Sequence, residues 1–429
     1  MAVTTREALA SAPAPQPAPD PRWLRILRSP RTYLWLIAFA AVFPQAWHQL
    51  HVQGDTFMVD LTVYRQAGVS ILHHRAIYSW YVRSEFSLLP FTYPPLAAVL
   101  AVPLALVPLH VDAVLWDLAV YGCLFWSSRL LLRPVITRMR VAGNRFEYVL
   151  LPAVWVYTAY MLPGIQQIHL GQVGIFLMCL VLFDLMTNRT GRLRGALVGL
   201  ASGIKLTPLV FIPAFVVARR WREAAVGAAA FVVTAGLVWV VAPQSSHQFW
   251  TDSVQQPDRL GSNTDPANQS LRGALLRTAL HGRTGDAVWI VLCVVVLAAG
   301  LYATTRAHRD GDELLFIVVG GLLSCLLSPV AWIHHYVWVY ALMAWLLRER
   351  HHVLAAGMSL LWLFNWTGSY RNHVGTGGVA GAWWWLVGDL FAVSSLVIVL
   401  AFAVRAWSLR RDGHPTGAAE SRSPVDASP

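Results

Sequence analysis

A candidate catalytic acid stands at the start of a long polar stretch, in the sequence FMVDLTVYRQAG that begins at Phe57. The carboxylate is Asp60. Helical spacing places Tyr64 on the same side of a short amphipathic helix, with Arg65 on the adjacent side. A partly desolvated acid presented beside a phenol could act as a general base. A solvated loop aspartate is the alternative reading, and composition alone favours Asp55 equally.

Side chains that could bind a phosphate occur at two further places. Lys205 is the only lysine of the chain and lies in the sequence GIKLTP, inside an apolar region where its natural partner would be an anion. His334 and His335 are adjacent in SPVAWIHHYVW and could offer charge and hydrogen bonds to a phosphate. Snorkelling is the alternative for the lysine, and interfacial histidines among aromatic residues are the alternative for the pair.

Metal ligation by the two histidines is less favoured, because neighbouring helical positions point about 100° apart and the sequence brings no further His, Asp or Glu set together. Asp310 and Asp312 have the spacing of the metal-binding acid pair of many nucleotide-sugar enzymes. They stand between Arg309 and Glu313 in a short loop, where a solvated charge cluster is expected. We therefore predict neither a metal nor a cofactor.

Two polar segments could contact a sugar. The sequence PGIQQIHLGQVG carries Gln167, His169 and Gln172, whose side chains could hydrogen-bond sugar hydroxyls. The sequence PFTYPPL, which contains Tyr93, closes the long stretch that begins near Asp60. An ordinary polar loop between apolar segments explains the glutamines equally well.

The composition is that of a polytopic membrane protein. Of 429 residues, 56% are hydrophobic and only 13% are charged, and the mean hydropathy is +0.50. The net charge of +11 comes from arginines between apolar runs, where the positive-inside bias explains them, so nucleic-acid binding is not predicted. The four cysteines all lie in apolar segments and indicate no disulfide framework.

Apolar runs near the roughly 20 residues that a helix needs to cross the hydrocarbon layer occur at 33–50, 94–109, 112–132, 147–163, 171–187, 222–242, 286–305, 313–328, 331–347, 352–367 and 383–405. Basic flanks at both ends place both termini in the cytoplasm, which requires an even number of crossings. We predict an all-α protein of about twelve transmembrane helices. Residues 32–405 form a single transmembrane catalytic domain, between disordered cytoplasmic tails at 1–31 and 406–429.

Two segments do not fit simple crossings. Both flanks of 193–218 are basic, so we predict two short helices that break near Lys205 and return to the same side. The segment 94–109 contains four prolines and is predicted to be broken or re-entrant. Counting crossings from both ends places the loops 51–92 and 243–285 outside, on the face that carries most of the unusual polar residues.

Taken in order, DLTVYRQAG, PFTYPPL, HLGQVG, GIKLTP and SPVAWIHHYVW resemble family 87 of the glycosyltransferases, over residues 33 to 405. The resemblance implies the glycosyltransferase C superfamily fold, with a long first periplasmic loop and an active site that faces the periplasm. It also implies a multi-pass protein of the plasma membrane that transfers mannose from polyprenyl-phosphate-mannose to a phosphatidylinositol mannoside, forming an α-1,2 linkage. The family's catalytic aspartate corresponds to Asp60.

The implied reaction is consistent with the residues. A β-linked donor and an α-linked product require a single in-line displacement, for which one base suffices. The phosphate leaving group needs charge stabilisation, which Lys205, His334 or His335 could supply. Branching of lipomannan or lipoarabinomannan is an alternative acceptor reaction. A secondary transporter would also have broken helices and an intramembrane cation, but it would not need the long loop 51–92.

Overall fold

The structure is a computed structural model that describes residues 29–51, 57–83, 88–187, 191–256, 259, 261–278, 280 and 282–411. Most of the predicted N-terminal tail, with Arg22, Arg25 and Arg28, lies outside these residues. So do Asp55 and the C-terminal segment 412–429.

The chain is mostly helical. The helices are α1 (Pro30–His51), α2 (Val59–Leu72), α3 (Pro95–Leu100), α4 (Val102–Ala105), α5 (Leu109–Val141), α6 (Glu147–Tyr160), α7 (Leu162–Leu170), α8 (Gly174–Leu182), α9 (Ala196–Ile204), α10 (Phe211–Val217), α11 (Trp221–Val241), α12 (Pro243–Thr251), α13 (Leu271–Leu276), α14 (Gly282–Arg309), α15 (Glu313–Leu326), α16 (Val339–Arg348), α17 (His352–Leu363), α18 (Trp366–Arg371), α19 (Gly378–Gly388) and α20 (Leu390–Arg411). A π-helical turn (Phe183–Thr187) extends α8, and 3-10 helical segments occupy Thr207–Val210, Ser253–Gln255 and Ile333–Trp338.

The strictly all-α prediction is wrong in one detail. Two short strands, β1 (Tyr81–Arg83) and β2 (Leu88–Pro90), pair antiparallel with Tyr81 opposite Pro90. In β1, Tyr81 and Arg83 are exposed and Val82 between them is half-buried, which is the alternation expected of a strand with one covered face. The ribbon lies within the predicted outer loop 51–92.

Several helices are long and apolar enough to cross a bilayer. Within the described ranges these are α5, α11, α14 and α20, and the pair α6 and α7, bent by 64°, passes the same test as one broken span. Their outward faces are apolar: Val240 is 82% exposed and Val404 is 64% exposed. Such faces would be costly in water and are suited to lipid tails. The chain is therefore membrane-embedded, while the count of about twelve spans stays a prediction.

The basic helix ends gather on one face, as the charge pattern predicts. Arg306, Arg348 and Arg405, from α14, α16 and α20, line one cavity of about 310 Å³. Arg138, in the last turn of α5, donates a hydrogen bond to the carbonyl of Arg348 (2.8 Å). Because four helices end together with their arginines, this face is the one expected in the cytoplasm.

The segment 193–218 turns back as its basic flanks predict. Arg194 stands at the beginning of the segment, Arg220 follows its end, and both contact Glu313, at 3.1 Å and 2.7 Å. Helix α9 ends at Ile204, and helical structure resumes only at Thr207, so the break falls at Lys205. The two flanks thus lie on the basic face, and Lys205 stands at the opposite end of the excursion.

The segment 94–109 is broken, again as predicted. Its helices α3 and α4 contain six and four residues, which at about 1.5 Å per residue is far too short to cross a bilayer. Pro95 and Pro103 occupy the first turns, where proline is tolerated because the missing N–H would have no helical partner. These pieces instead pack against α2, where Ala98 and Ala101 join a small core with Tyr64.

Candidate functional site

Asp60 is the second residue of α2 and is half-buried. Burial raises the pKa of its carboxyl group to about 6, while a hydrogen bond from the side chain of Gln172 and the nearby charge of Lys205 act in the opposite direction. A carboxylate in a first helical turn also gains from the helix dipole. The environment therefore holds a carboxylate that is ionised at neutral pH and still basic enough to accept a proton.

Gln172 links this acid to two tyrosines. The side chain is buried, and its Oε1 lies 3.2 Å from the hydroxyl of Tyr64 and 3.3 Å from that of Tyr93. The two hydroxyls are 2.8 Å apart. Because the amide oxygen accepts from the tyrosines, the amide nitrogen is left to donate to Asp60.

Lys205 continues the network on the far side of Tyr93. Its Nζ donates to the Tyr93 hydroxyl (3.3 Å), lies 5.0 Å from the centre of that ring, and is 2.7 Å from Nε2 of His335. A charged ammonium has no acceptor, so His335 must accept through Nε2 and carry its proton on Nδ1. Among the described residues, Nδ1 of His335 has no hydrogen-bond partner.

His334 packs edge-on against His335, with ring centroids 4.6 Å apart. It is buried, and neither of its ring nitrogens has a hydrogen-bond partner within the described part of the chain. Buried polar groups are normally satisfied, so unpaired nitrogens indicate a place for water or a ligand. The paired histidines thus present three unpaired ring nitrogens beside the ammonium of Lys205.

Two glycines of HLGQVG allow this arrangement. Gly171 ends α7 with φ of +71°, and a Cβ there would come within 2.6 Å of the Leu61 side chain, next to Asp60. A Cβ at Gly174 would come within 2.6 Å of the Gln167 amide nitrogen, which donates to the carbonyl of His334 (2.7 Å). Both approaches need glycine, and together they bring the HLGQVG turn against the acid and the histidines.

The structure therefore brings together most of the predicted site residues. Asp60, Gln172, Tyr64, Tyr93, Lys205 and His335 form one chain of contacts. The side chain of Gln167 contacts the site only indirectly, by donating a hydrogen bond to the backbone carbonyl of His334. Its Oε1 is occupied by the amide N–H of Ile175 (3.1 Å).

Arg65 and His169 are placed differently. The guanidinium of Arg65 donates to the carbonyl of Val107 (2.7 Å) and pairs with Asp112 (3.5 Å), so it joins α2 to α5. The ring of His169 lies 6.0 Å from that of His48 on α1. A substrate role for either residue stays a prediction.

The other acids considered for chemistry have structural partners or lie outside the described residues. Asp312 caps α15 by accepting from the N–H of Leu315 (2.9 Å), and Asp310 pairs with Arg306 (2.9 Å). No group of three or more His, Cys, Asp or Glu side chains within the described ranges is arranged to hold a metal ion.

Sequence reasoning missed two groups of buried polar residues. Asp117, on α5, is buried, and neither carboxylate oxygen has a partner among the described residues. An acid inside a predicted span was the available signal. Asn268, Gln269 and Ser270 are fully buried and contact the histidine-bearing segment. In the sequence these three residues resemble those of an ordinary polar loop, and only their tertiary contacts distinguish them from such a loop.

Within the described part of this helical membrane protein, an acid, a bridging amide and a lysine lie beside two imidazoles that have three unpaired ring nitrogens, an arrangement suited to chemistry on a phosphate. The chain belongs to glycosyltransferase family 87, whose family model matches residues 91–329. It is therefore a membrane glycosyltransferase. The matched region includes Tyr93, Gln172 and Lys205 and excludes Asp60 and the two histidines.

Named relatives agree with this assignment. The polyprenol-phosphate-mannose-dependent α-(1-2)-phosphatidylinositol mannoside mannosyltransferase of Mycobacterium tuberculosis is 32% identical over 352 residues, covering 78% of this chain and 81% of the relative. The corresponding phosphatidylinositol pentamannoside mannosyltransferase of Mycolicibacterium smegmatis is 34% identical over 323 residues, covering 74% of this chain and 76% of the relative. No solved structure gives a significant match.

Proposed function

We propose that this protein transfers mannose from polyprenyl-phosphate-mannose to a phosphatidylinositol mannoside and forms an α-1,2 linkage with inversion at the anomeric carbon. The substrates are those in the names of the relatives. The observation that carries the proposal is the contact chain from Asp60 through Gln172 and Tyr93 to Lys205 and His335. It connects a base to a cation, which are the two groups that this reaction needs.

Asp60 acts as the general base. As the acceptor oxygen attacks the anomeric carbon, a carbon–oxygen bond forms on one side and the bond to the phosphate oxygen breaks on the other. The hydroxyl proton passes to the Asp60 carboxylate, and Gln172 holds that carboxylate in place through its amide. A base whose pKa is about 6 suits a reaction near neutral pH.

Lys205 and the paired histidines stabilise the leaving polyprenyl phosphate. The donor is a phosphate diester, and the polyprenyl phosphate monoester leaves it without protonation. Negative charge develops on the departing oxygen, and a fixed cation with aimed hydrogen-bond donors lowers that barrier. Lys205 supplies the charge, and Nδ1 of His335 is a buried donor without a partner in the described structure. No metal is needed in this scheme, and none of the proposed steps uses one.

The membrane arrangement follows from the same proposal. The basic helix ends face the cytoplasm, and the site opens to the periplasm, on the face with the loops 51–92 and 243–285. About twelve spans in the glycosyltransferase C arrangement would then carry a catalytic domain in the plasma membrane, between two cytoplasmic tails. Because α1 begins at Pro30 and α20 ends at Arg411, the domain is slightly longer than the predicted 32–405, and the tails are shorter than 1–31 and 406–429.

The test is mannose transfer by purified protein supplied with mannosyl-phosphoryl-polyprenol and phosphatidylinositol mannosides of defined length. Asp60→Asn keeps the shape of the side chain but cannot accept the proton, so transfer should fall by about 10²–10⁴-fold. Asp55→Asn is the matched control and should retain most activity. Transfer by wild-type protein should also persist in a chelator.

Four outcomes would contradict the proposal. Substantial turnover by Asp60→Asn, or equal loss in both variants, removes Asp60 as the base. Transfer only to lipomannan acceptors would favour the branching reaction, and flux of a lipid or sugar without transfer would favour a transporter.

A further inference from the structure

The histidine-bearing segment has few backbone partners of its own. Between the end of α15 at Leu326 and the start of α16 at Val339, the chain is first irregular and then 3-10 helical from Ile333, with a non-helical kink at Tyr336. Such a segment leaves many N–H and C=O groups without the regular partners that helices supply. Something outside it must satisfy these groups if the two imidazoles are to keep a fixed direction.

The loop at Asn268, Gln269 and Ser270 supplies these partners. Asn268 Oδ1 accepts from the N–H of Ala331 (3.0 Å), and the Gln269 N–H donates to the carbonyl of the same alanine (2.7 Å). The Ser270 hydroxyl donates to the carbonyl of Pro329 (3.0 Å). On the other side of the histidines, the hydroxyl of Tyr336 donates to the carbonyl of Gln269 (2.6 Å).

The same loop is anchored from behind. Gln269 Nε2 donates to the carbonyl of Gly388 (2.7 Å), and its Oε1 accepts from the N–H of Ala392 (3.1 Å), which ties the loop to the junction of α19 and α20. Arg277 donates to the carbonyl of Asn268 (2.8 Å) and forms a buried ion pair with Asp389. The contacts on both sides of the loop are therefore made by buried polar groups, which are costly to leave unpaired.

We propose that Asn268 and Gln269 are positioning residues for the donor phosphate. They clamp the chain on both sides of His334 and His335 and so aim the unpaired imidazole nitrogens beside Lys205. This inference rests on the proposed function, because it takes the histidines to contact the phosphate. Neither residue touches the site cation or Asp60 through any described hydrogen bond, so the effect of each must pass through the histidine segment.

The kinetic test compares two replacements of Asn268. Asn268→Leu removes the acceptor at nearly constant volume, and misalignment of the histidines should raise donor KM about ten-fold while leaving acceptor KM within about two-fold. Asn268→Asp keeps the acceptor for the Ala331 N–H and should restore most of the donor affinity. Because the effect passes through the two histidines, adding Asn268→Leu to the double variant His334→Ala/His335→Ala should change donor KM no further.

Arg371→Ala is the matched control. Arg371 grips the same loop at Asp265 with two contacts of 2.9 Å and 2.8 Å, at an exposed site away from the histidine segment. The Arg371→Ala variant should therefore have the same donor KM as the wild type. If Asn268→Leu does not fold, Tyr336→Phe removes a single bond to the loop and should raise donor KM in the same direction by a smaller factor.

A second measurement is independent of activity. Carbethoxylation of His334, followed by peptide mass spectrometry and referred to the exposed His110, should be slow in the wild type and in Arg371→Ala, and at least several-fold faster in Asn268→Leu. The positioning role would be overturned by wild-type labelling of His334 in Asn268→Leu or by equal rises in donor KM and acceptor KM. A further rise in donor KM when Asn268→Leu is added to the double histidine variant would also overturn it. If wild-type protein transfers no mannose, the proposed function fails, and the labelling still decides whether the loop holds the histidines.

Discussion

The carboxyl group of Asp60 lies where burial opposes its charge. The side chain has a hydrogen-bond donor in Gln172 and a cation nearby in Lys205, yet burial outweighs both and raises the pKa from 3.8 to about 6. A solvated loop aspartate would keep its ordinary pKa, so the environment of Asp60 differs from that of a solvated loop residue.

The raised pKa predicts the pH dependence of catalysis. The base acts only when it is ionised, so kcat/KM for transfer should rise with pH through a single ionisation near pH 6 and level off above about pH 7. The measurement is a pH profile of kcat/KM for the acceptor, taken at acceptor concentrations below KM. A flat profile between pH 5 and pH 7 would be inconsistent with Asp60 as the base.

The raised pKa of Asp60 also predicts that the stability of the fold falls as the pH rises, whereas activity rises. A carboxyl group whose folded pKa exceeds its unfolded value binds more protons when folded, so its stability contribution is present below about pH 4 and is lost as the pH rises through about 6. Asp60→Asn removes the cost of the buried charge. Its melting temperature relative to wild type should be higher at pH 7.5 than at pH 4.5, and an unchanged difference would remove the burial argument.

Lys205 and His335 should act on the donor. Lys205→Met or His335→Ala removes a charge or a hydrogen-bond donor from a buried phosphate site, which should cost about 1.5–3 kcal/mol of donor binding. The exposed Arg405 on the basic face provides a control, and Arg405→Met should bind polyprenyl phosphate as wild type does. Equal affinities in all three variants would support the alternative interpretations, in which the lysine snorkels to the interface and the histidines belong to the interfacial aromatic belt.

At the scale of elements, the turn between α7 and α8 positions the glutamines of the site. Gly171 adopts φ of +71°, and a methyl group there would meet Leu61, the residue after Asp60. Gly143 provides a matched control, because it has φ of +67° but nothing within 4 Å of an added Cβ.

Alanine at either glycine should cost about 1–2 kcal/mol from the left-handed backbone. Gly171→Ala should lose additional stability through the clash and should also lose most mannose transfer, because α2 and Gln172 are pushed apart. Gly143→Ala should keep its transfer rate. Denaturant unfolding and the transfer assay check both variants, and wild-type transfer by Gly171→Ala would show that the close approach is unimportant.

For the whole molecule, the gathered arginines predict the orientation in the membrane. The test introduces Arg75→Cys or Asp252→Cys, both at exposed positions, into a variant without the four native cysteines. An impermeant maleimide applied to spheroplasts should label each of these cysteines. Cysteine at Asp310, on the basic face, should react only after permeabilisation. Labelling in the reverse pattern would invert the topology and place the site in the cytoplasm.

Much of the membrane architecture could be predicted from the sequence, because hydropathy and charge are local properties. Apolar runs locate most of the long helices, and basic flanks alone predict that 193–218 returns to its starting side near Lys205. Prolines predict the break in 94–109. The β ribbon was missed, because three-residue strands leave too short a pattern to outweigh a helical context.

Asp60, Lys205 and the paired histidines could also be selected from the sequence, since their chemistry is unusual for an apolar chain. Only the tertiary structure decided which polar residues meet. Arg65 follows Tyr64 directly but turns to Asp112, whereas Gln172, 108 residues from Tyr64, lies within hydrogen-bonding distance of it. Asn268 became visible as a partner of Ala331 only across a separation of 63 residues. Such contacts depend on how the helices pack against one another, and a pattern confined to one segment carries no information about that packing.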